Sequence, residues 1–79
     1  MYNNINIDSL RTIIHRKRIE MGLIGREAAR EIGVSYASYN RFIAGIGKPR
    51  EINIHKYLVW LQRLKKGGKQ NEKFGRLYR

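Results

Sequence analysis

The sequence predicts an all-α domain of four helices followed by a basic tail. Apolar residues recur at helical spacing along most of the 79 residues, and glycines and capping side chains separate the stretches. A chain of this length has room for one small core, so we expect a single domain. We place that domain at residues 1–64 and the tail, which we expect to be flexible, at 65–79.

The first helix is predicted to follow a capping side chain, either Asn6 or Asp8, and to run to Met21. Gly22 is expected to end it. The residues expected to face the core are Leu10, Ile13 and Ile14. Those expected to point outward are Arg16 and Arg18.

The next two helices are expected to meet at a sharp corner. Gly33 can adopt the left-handed backbone conformation that such a corner requires, and the Ser35 hydroxyl can cap the helix that follows. One helix should therefore end near Ile32 and the next begin near Tyr36, within a unit spanning residues 24–45. The residues expected to face inward are Ala28, Ala29 and Ile32 on the first helix, and Val34, Tyr39, Phe42 and Ile43 on the second.

The other face of this second helix forms an outward stripe without an acidic residue. Its members follow helical spacing and are Tyr36, Ala37, Asn40, Arg41 and Ala44. Such a stripe suits contact with a negatively charged partner.

A last helix is predicted to begin at Arg50 or Asn53, after a loop marked by Gly45, Gly47 and Pro49. The residues expected to close the core are Ile54, Tyr57, Leu58, Leu61 and Leu64. Trp60 lies beside that stripe, where it could be partly exposed and mediate self-association, or pack at the edge of the core. An alternative pairs residues 57–61 with 74–78 in a β-hairpin wing.

The segment GVSYASYNRFIAGIGKP (residues 33–49) resembles the recognition-helix region of the lambda-repressor-like (Xre, phage repressor) helix-turn-helix family. Upstream, IIHRKRIEMGL (residues 13–23) is similar to that family's first helix, and the likeness extends to Leu61. Two positions depart from the pattern. Ile24 and Gly25 replace a Thr-Gln pair whose Gln contacts phosphate and braces the recognition helix, and Tyr39 replaces a smaller aliphatic residue.

The resemblance and the formal charge of +11 imply a sequence-specific regulator of transcription, in the manner of a repressor, that reads the DNA major groove with helix 36–44. The residues expected to contact bases are Tyr36, Ala37, Asn40 and Arg41, with Arg41 the first candidate for guanine. Those expected to contact phosphates are Gly25, Arg26, Arg30, Ser35 and Lys48. Proteins of this class often dimerise to read two half-sites.

Two other functions fit the composition. A non-specific or architectural protein could bind nucleic acid mainly through the tail, whose residues 65–79 hold six basic side chains and one acidic one. An antitoxin-type module would bind both DNA and a protein partner, although no motif here indicates such a partner.

Other classes of function are not expected. No nucleophile has an evident base, and His15 and His55 lack neighbouring ligands, so we expect neither an enzyme nor a metal site or cofactor. The longest apolar run, residues 57–61, is far shorter than the ~20 residues of a membrane span. With no cysteine in the chain, we expect a cytoplasmic, nucleoid-associated protein.

Overall fold

The computed structural model describes the backbone of residues 5–74 and the side chains of residues 5–65. Within that part the chain forms four α-helices and no strand: α1 (Ile7–Glu20), α2 (Gly25–Ile32), α3 (Tyr36–Ala44) and α4 (Glu51–Phe74). The all-α prediction is confirmed. The β-hairpin alternative is wrong, because residues 57–61 lie inside α4.

Local signals set the helix boundaries as predicted. The Asn6 side chain accepts a hydrogen bond from the Ser9 amide at 3.0 Å and caps α1, whereas Asp8 lies in the first turn of that helix. The Arg50 carbonyl accepts bonds from the amides of Asn53 and Ile54, each at 3.0 Å, at the start of α4. Each start thus depends on a group within four residues of it.

The corner between α2 and α3 is a three-residue turn. Gly33 has φ of 97°, in the left-handed region, and its amide donates to the Ala29 carbonyl at 2.8 Å. The Ser35 hydroxyl accepts from the Ser38 amide at 3.1 Å, so the predicted cap is confirmed. The two helices pack against each other across this turn.

The core draws on all four helices. Its buried residues are Leu10 and Ile14 of α1, Ala28, Ala29 and Ile32 of α2, Tyr39 and Phe42 of α3, and Ile54, Tyr57 and Trp60 of α4. Small alanines on α2 let its neighbours approach closely. The rings of Phe42 and Tyr57 stack with centroids 4.2 Å apart and planes 20° from parallel.

Three sequence predictions about burial are wrong. Ile13 is 43% exposed, because α1 buries only the narrow line through Leu10 and Ile14. Arg18, expected outward, is half-buried and donates to the Leu23 carbonyl at 2.9 Å. Of the two alternatives for Trp60, partial exposure is wrong: the residue is 1% exposed and its indole N–H donates to the Glu31 carboxylate of α2 at 3.3 Å, so its ring offers no area to a second copy.

Helix α4 continues past the point at which the sequence predicted the tail to begin. The helix has 24 residues and runs to Phe74, through most of the segment 65–79 that we expected to be flexible. Residues 75–79 lie outside the described part. The boundary at residue 64 and the flexibility of the tail remain predictions.

The buried Tyr57 makes the fold less stable at alkaline pH. Burial, and secondarily the nearby Tyr39, raise the pKa of Tyr57 well above its ordinary value of 10.0. An unfolded chain releases this proton near pH 10, whereas the folded chain retains it. Stability is therefore complete below about pH 10 and falls as the pH rises above that value.

We expect Tyr57→Phe to leave the free energy of unfolding at pH 7 unchanged or to raise it by up to ~1 kcal/mol, because the buried Tyr57 hydroxyl has no hydrogen-bond partner among the described residues. Above pH 10 the variant should lose stability less steeply than the parent. Urea unfolding followed by circular dichroism from pH 7 to 11 measures both, with Tyr36→Phe as the exposed control. Equal alkaline slopes for Tyr57→Phe and the parent would contradict the expectation.

Candidate nucleic-acid interface

The exposed face of α3 carries the four residues that the sequence assigned to base contacts. Tyr36, Ala37, Asn40 and Arg41 are all exposed, and Tyr36 keeps 41% of its surface accessible. On the opposite face Tyr39 and Phe42 are buried. The helix contains no acidic residue, so this surface presents amide, guanidinium and aromatic groups without a carboxylate.

Gly25, Arg26 and Tyr36 meet at the N-terminal end of α3. The Arg26 guanidinium lies over the Tyr36 ring, with its central carbon 4.9 Å from the ring centroid. A Cβ at Gly25 would stand 3.3 Å from the Tyr36 Cε1 atom and 3.6 Å from Tyr39 Cε2. The lack of a side chain at Gly25 therefore leaves the room that the two rings occupy.

A basic cleft of about 400 Å³ opens at the C-terminal end of α3, between this helix and the start of α4. We call it the α3–α4 cleft. Its polar lining residues are Ser38, Arg41, Lys48, Arg50 and Asn53. None of the residues that line it is acidic, and the acidic first residue of α4, Glu51, follows the lining residue Arg50 in the chain. The cleft therefore suits an anion such as a phosphate group.

The Arg41 side chain lines this cleft and lies close to Gly47. Its Nη2 atom lies 3.3 Å from the point that a Cβ on Gly47 would occupy, and Gly47 has φ of 70°. A side chain at Gly47 would thus both strain the backbone and crowd the guanidinium. The loop therefore needs glycine at this position to accommodate Arg41.

Arg11 of α1 holds the end of α3 in place. Its Nε atom donates to the Phe42 carbonyl at 2.6 Å, its guanidinium lies 5.7 Å from the Phe42 ring centroid, and Nη1 also bonds the Asp8 carboxylate. The Phe42 carbonyl also accepts from the Gly45 amide at 3.1 Å, so Arg11 adds a second, charged donor at the C-terminal end of α3. Arg11 therefore fixes where the exposed face of α3 points.

Helix α4 holds the α2–α3 corner in a similar way. Lys56 Nζ donates to the Gly33 carbonyl at 2.9 Å, and Arg63 Nη2 donates to the Glu31 carbonyl at 3.0 Å. Both carbonyls belong to the C-terminal end of α2, where cations are favoured by the helix dipole. The turn that positions α3 is thereby tied to the longest helix.

The remaining predicted phosphate contacts are dispersed. Arg30 is exposed on α2, and Ser35 is exposed but its hydroxyl is occupied as the cap of α3. Sequence reasoning missed the roles of Arg50 and Asn53 in the cleft and of Arg11 behind α3. Arg50 could have been inferred from its place beside Lys48 and Pro49, whereas nothing near Arg11 in the sequence points to Phe42.

The described residues contain neither a candidate metal site nor a candidate membrane span. No group of three or more His, Cys, Asp or Glu side chains within them could hold a metal ion. None of the described helices combines the length and apolarity needed to cross a bilayer.

No protein-family model, curated protein or solved structure matches the chain. Its function must therefore be inferred from the residues and their geometry.

Replacing Arg11 should weaken the anchoring of α3. We expect Arg11→Ala to lower the free energy of unfolding by ~1.5–3 kcal/mol, because it removes a charged hydrogen bond to the Phe42 carbonyl. The matched control Arg16→Ala, an exposed arginine of the same helix, should change it by less than ~0.5 kcal/mol. Urea denaturation measures both, and equal effects would contradict the anchoring role.

Proposed function

We propose that the protein binds double-stranded DNA in a sequence-specific way and regulates transcription as a repressor. The observation that carries this proposal is the exposed face of α3, which has no acidic residue. Arg26 lies over Tyr36 at one end of this face, and the basic α3–α4 cleft opens at the other. Repression would follow from occupation of operator DNA.

Electrostatics support a nucleic-acid partner. The formal charge of +11 would draw the chain to the phosphate backbone and release counterions, which gives affinity without sequence reading. Several cations are already engaged inside the fold, among them Arg11, Lys56 and Arg63. Those at the two ends of α3 lie where a bound duplex would pass.

Helix size supports reading of the major groove. An α-helix with its side chains is ~10–12 Å across and the major groove is ~12 Å wide, so α3 can enter it with its exposed face toward the bases. Asn40 offers the amide that pairs with adenine, and Ala37 offers a methyl group suited to thymine. We assign these two residues to base edges.

Phosphate contacts are assigned to the α3–α4 cleft. Arg41, Lys48 and Arg50 line it together. The sequence had placed Arg41 first among the guanine readers. Because its guanidinium leans toward Gly47, we assign it to a phosphate instead.

Non-specific nucleic-acid binding is the second candidate. Helix α4 extends ten residues beyond Leu64, and this stretch includes Lys65, Lys66, Lys69 and Lys73. A basic extension of this kind can follow a phosphate backbone whatever its base sequence.

Selection of bound duplexes from a random library at physiological salt tests the function and separates the two candidates. We expect a consensus sequence, because α3 presents base-reading side chains. A protein that binds every duplex equally would support the non-specific candidate, and one that binds none would contradict both.

A negative charge on the α3 face should block DNA binding. We expect Ala37→Glu to weaken affinity for the duplex pool by at least about tenfold, because a carboxylate would then face the phosphates at close range. The control Gln62→Glu makes the same change of charge on an exposed position of α4, five residues beyond Tyr57, the last residue of this helix that lines the cleft, and should cost much less. Fluorescence anisotropy measures the affinities, and circular dichroism checks folding. Equal losses for both variants would show that net charge, not the α3 face, determines binding.

A further inference from the structure

Tyr36 and Arg26 form a pair that the sequence assigned to separate roles. Tyr36 was expected to contact a base and Arg26 a phosphate. In the structure the Arg26 guanidinium lies over the Tyr36 ring at 4.9 Å from its centroid, at the first residue of α3. The two side chains are therefore in contact with each other.

Gly25 makes this arrangement possible. The Tyr36 ring edge lies so close to Gly25 that a Cβ there would stand 3.3 Å from Cε1, tighter than ordinary van der Waals contact. Arg26, the next residue along α2, then covers the face of the ring. The ring is thus confined from two sides by adjacent residues of α2, although Tyr36 itself remains 41% exposed.

We infer that Arg26 is a specificity-determining residue that recognises guanine, and that Tyr36 is a positioning residue that holds the Arg26 guanidinium in a fixed plane. This inference rests on the proposed DNA-binding function. The first residues of a recognition helix are those that approach base edges, and the Arg26 guanidinium lies over the ring of the first residue of α3.

The geometry favours guanine over phosphate as the partner of Arg26. Guanine presents O6 and N7 as two acceptors in one plane, and a guanidinium confined over a ring can meet both with two parallel N–H groups. A phosphate accepts donors from many directions, so a mobile arginine or lysine can also bind it. Cations for phosphates are already present in the α3–α4 cleft, which Arg41, Lys48 and Arg50 line.

The first test examines the pair in the free protein. Nuclear magnetic resonance should show the Arg26 side-chain protons shifted upfield by the Tyr36 ring current, both in the parent and in Tyr36→Phe, which keeps the aromatic face. Tyr36→Leu should return those protons to ordinary positions. Arg26 resonances that do not change in Tyr36→Leu would overturn the positioning role, whether or not DNA binds.

The second test repeats the duplex selection with variants. We expect a guanine in the consensus whose preference over the other bases falls about tenfold or more in Arg26→Lys and in Tyr36→Leu. Tyr36→Phe should retain that preference. Arg16→Lys, which makes the same exchange at an exposed arginine of α1, should also retain it. Thermal unfolding of each variant checks that the fold is intact.

Two results would overturn the inference and are distinguishable. A parent consensus that Arg26→Lys leaves unchanged, with affinity lowered equally on all duplexes, would make Arg26 a phosphate contact and leave the proposed function in place. A parent protein that selects no consensus would overturn the inference together with the sequence-specific function.

Discussion

The Phe42 side chain is the point through which three helices of this small protein are joined. Its ring stacks on that of Tyr57 of α4, with the centroids 4.2 Å apart. The central carbon of the Arg11 guanidinium, from α1, lies 5.7 Å from the Phe42 ring centroid. The Phe42 carbonyl also accepts a hydrogen bond from Arg11. A core of this size has few alternative contacts, so this cluster and the α2–α3 corner together set the direction in which α3 faces.

The basic side chains divide into two groups with different physical roles. One group donates hydrogen bonds to backbone carbonyls: Arg11 to Phe42, Lys56 to Gly33 and Arg63 to Glu31 at the C-terminal ends of α3 and α2, and Arg18 to Leu23 in the loop between α1 and α2. The three contacts at helix ends place positive charge where the helix dipole favours it. The other group, at the two ends of α3, remains exposed, so a high net charge here contributes both to folding and to the proposed interface.

Gly25 has no side chain and so leaves room for two aromatic rings of α3. The space beside Gly25 is taken by Tyr36 and Tyr39, whose rings a Cβ would meet at 3.3 and 3.6 Å. The Tyr36 ring lies beside Gly25 and also under the Arg26 guanidinium, so α2 and α3 are in contact through these three residues.

The sequence by itself determined the boundaries of α1, α2 and α3, the start of α4, the left-handed turn at Gly33 and the Ser35 cap, because each depends on residues within about four positions of one another. The exposed stripe of α3 followed from the helical period. Only the tertiary structure decided that Trp60 is buried, that Ile13 is exposed and that Arg26 lies on Tyr36. It also brought Arg41 and Arg50 into one cleft and set Arg11 against Phe42, a residue 31 positions away. Long cationic and aromatic side chains can reach several partners, and which of them they meet depends on how the helices cross, information that no local pattern contains.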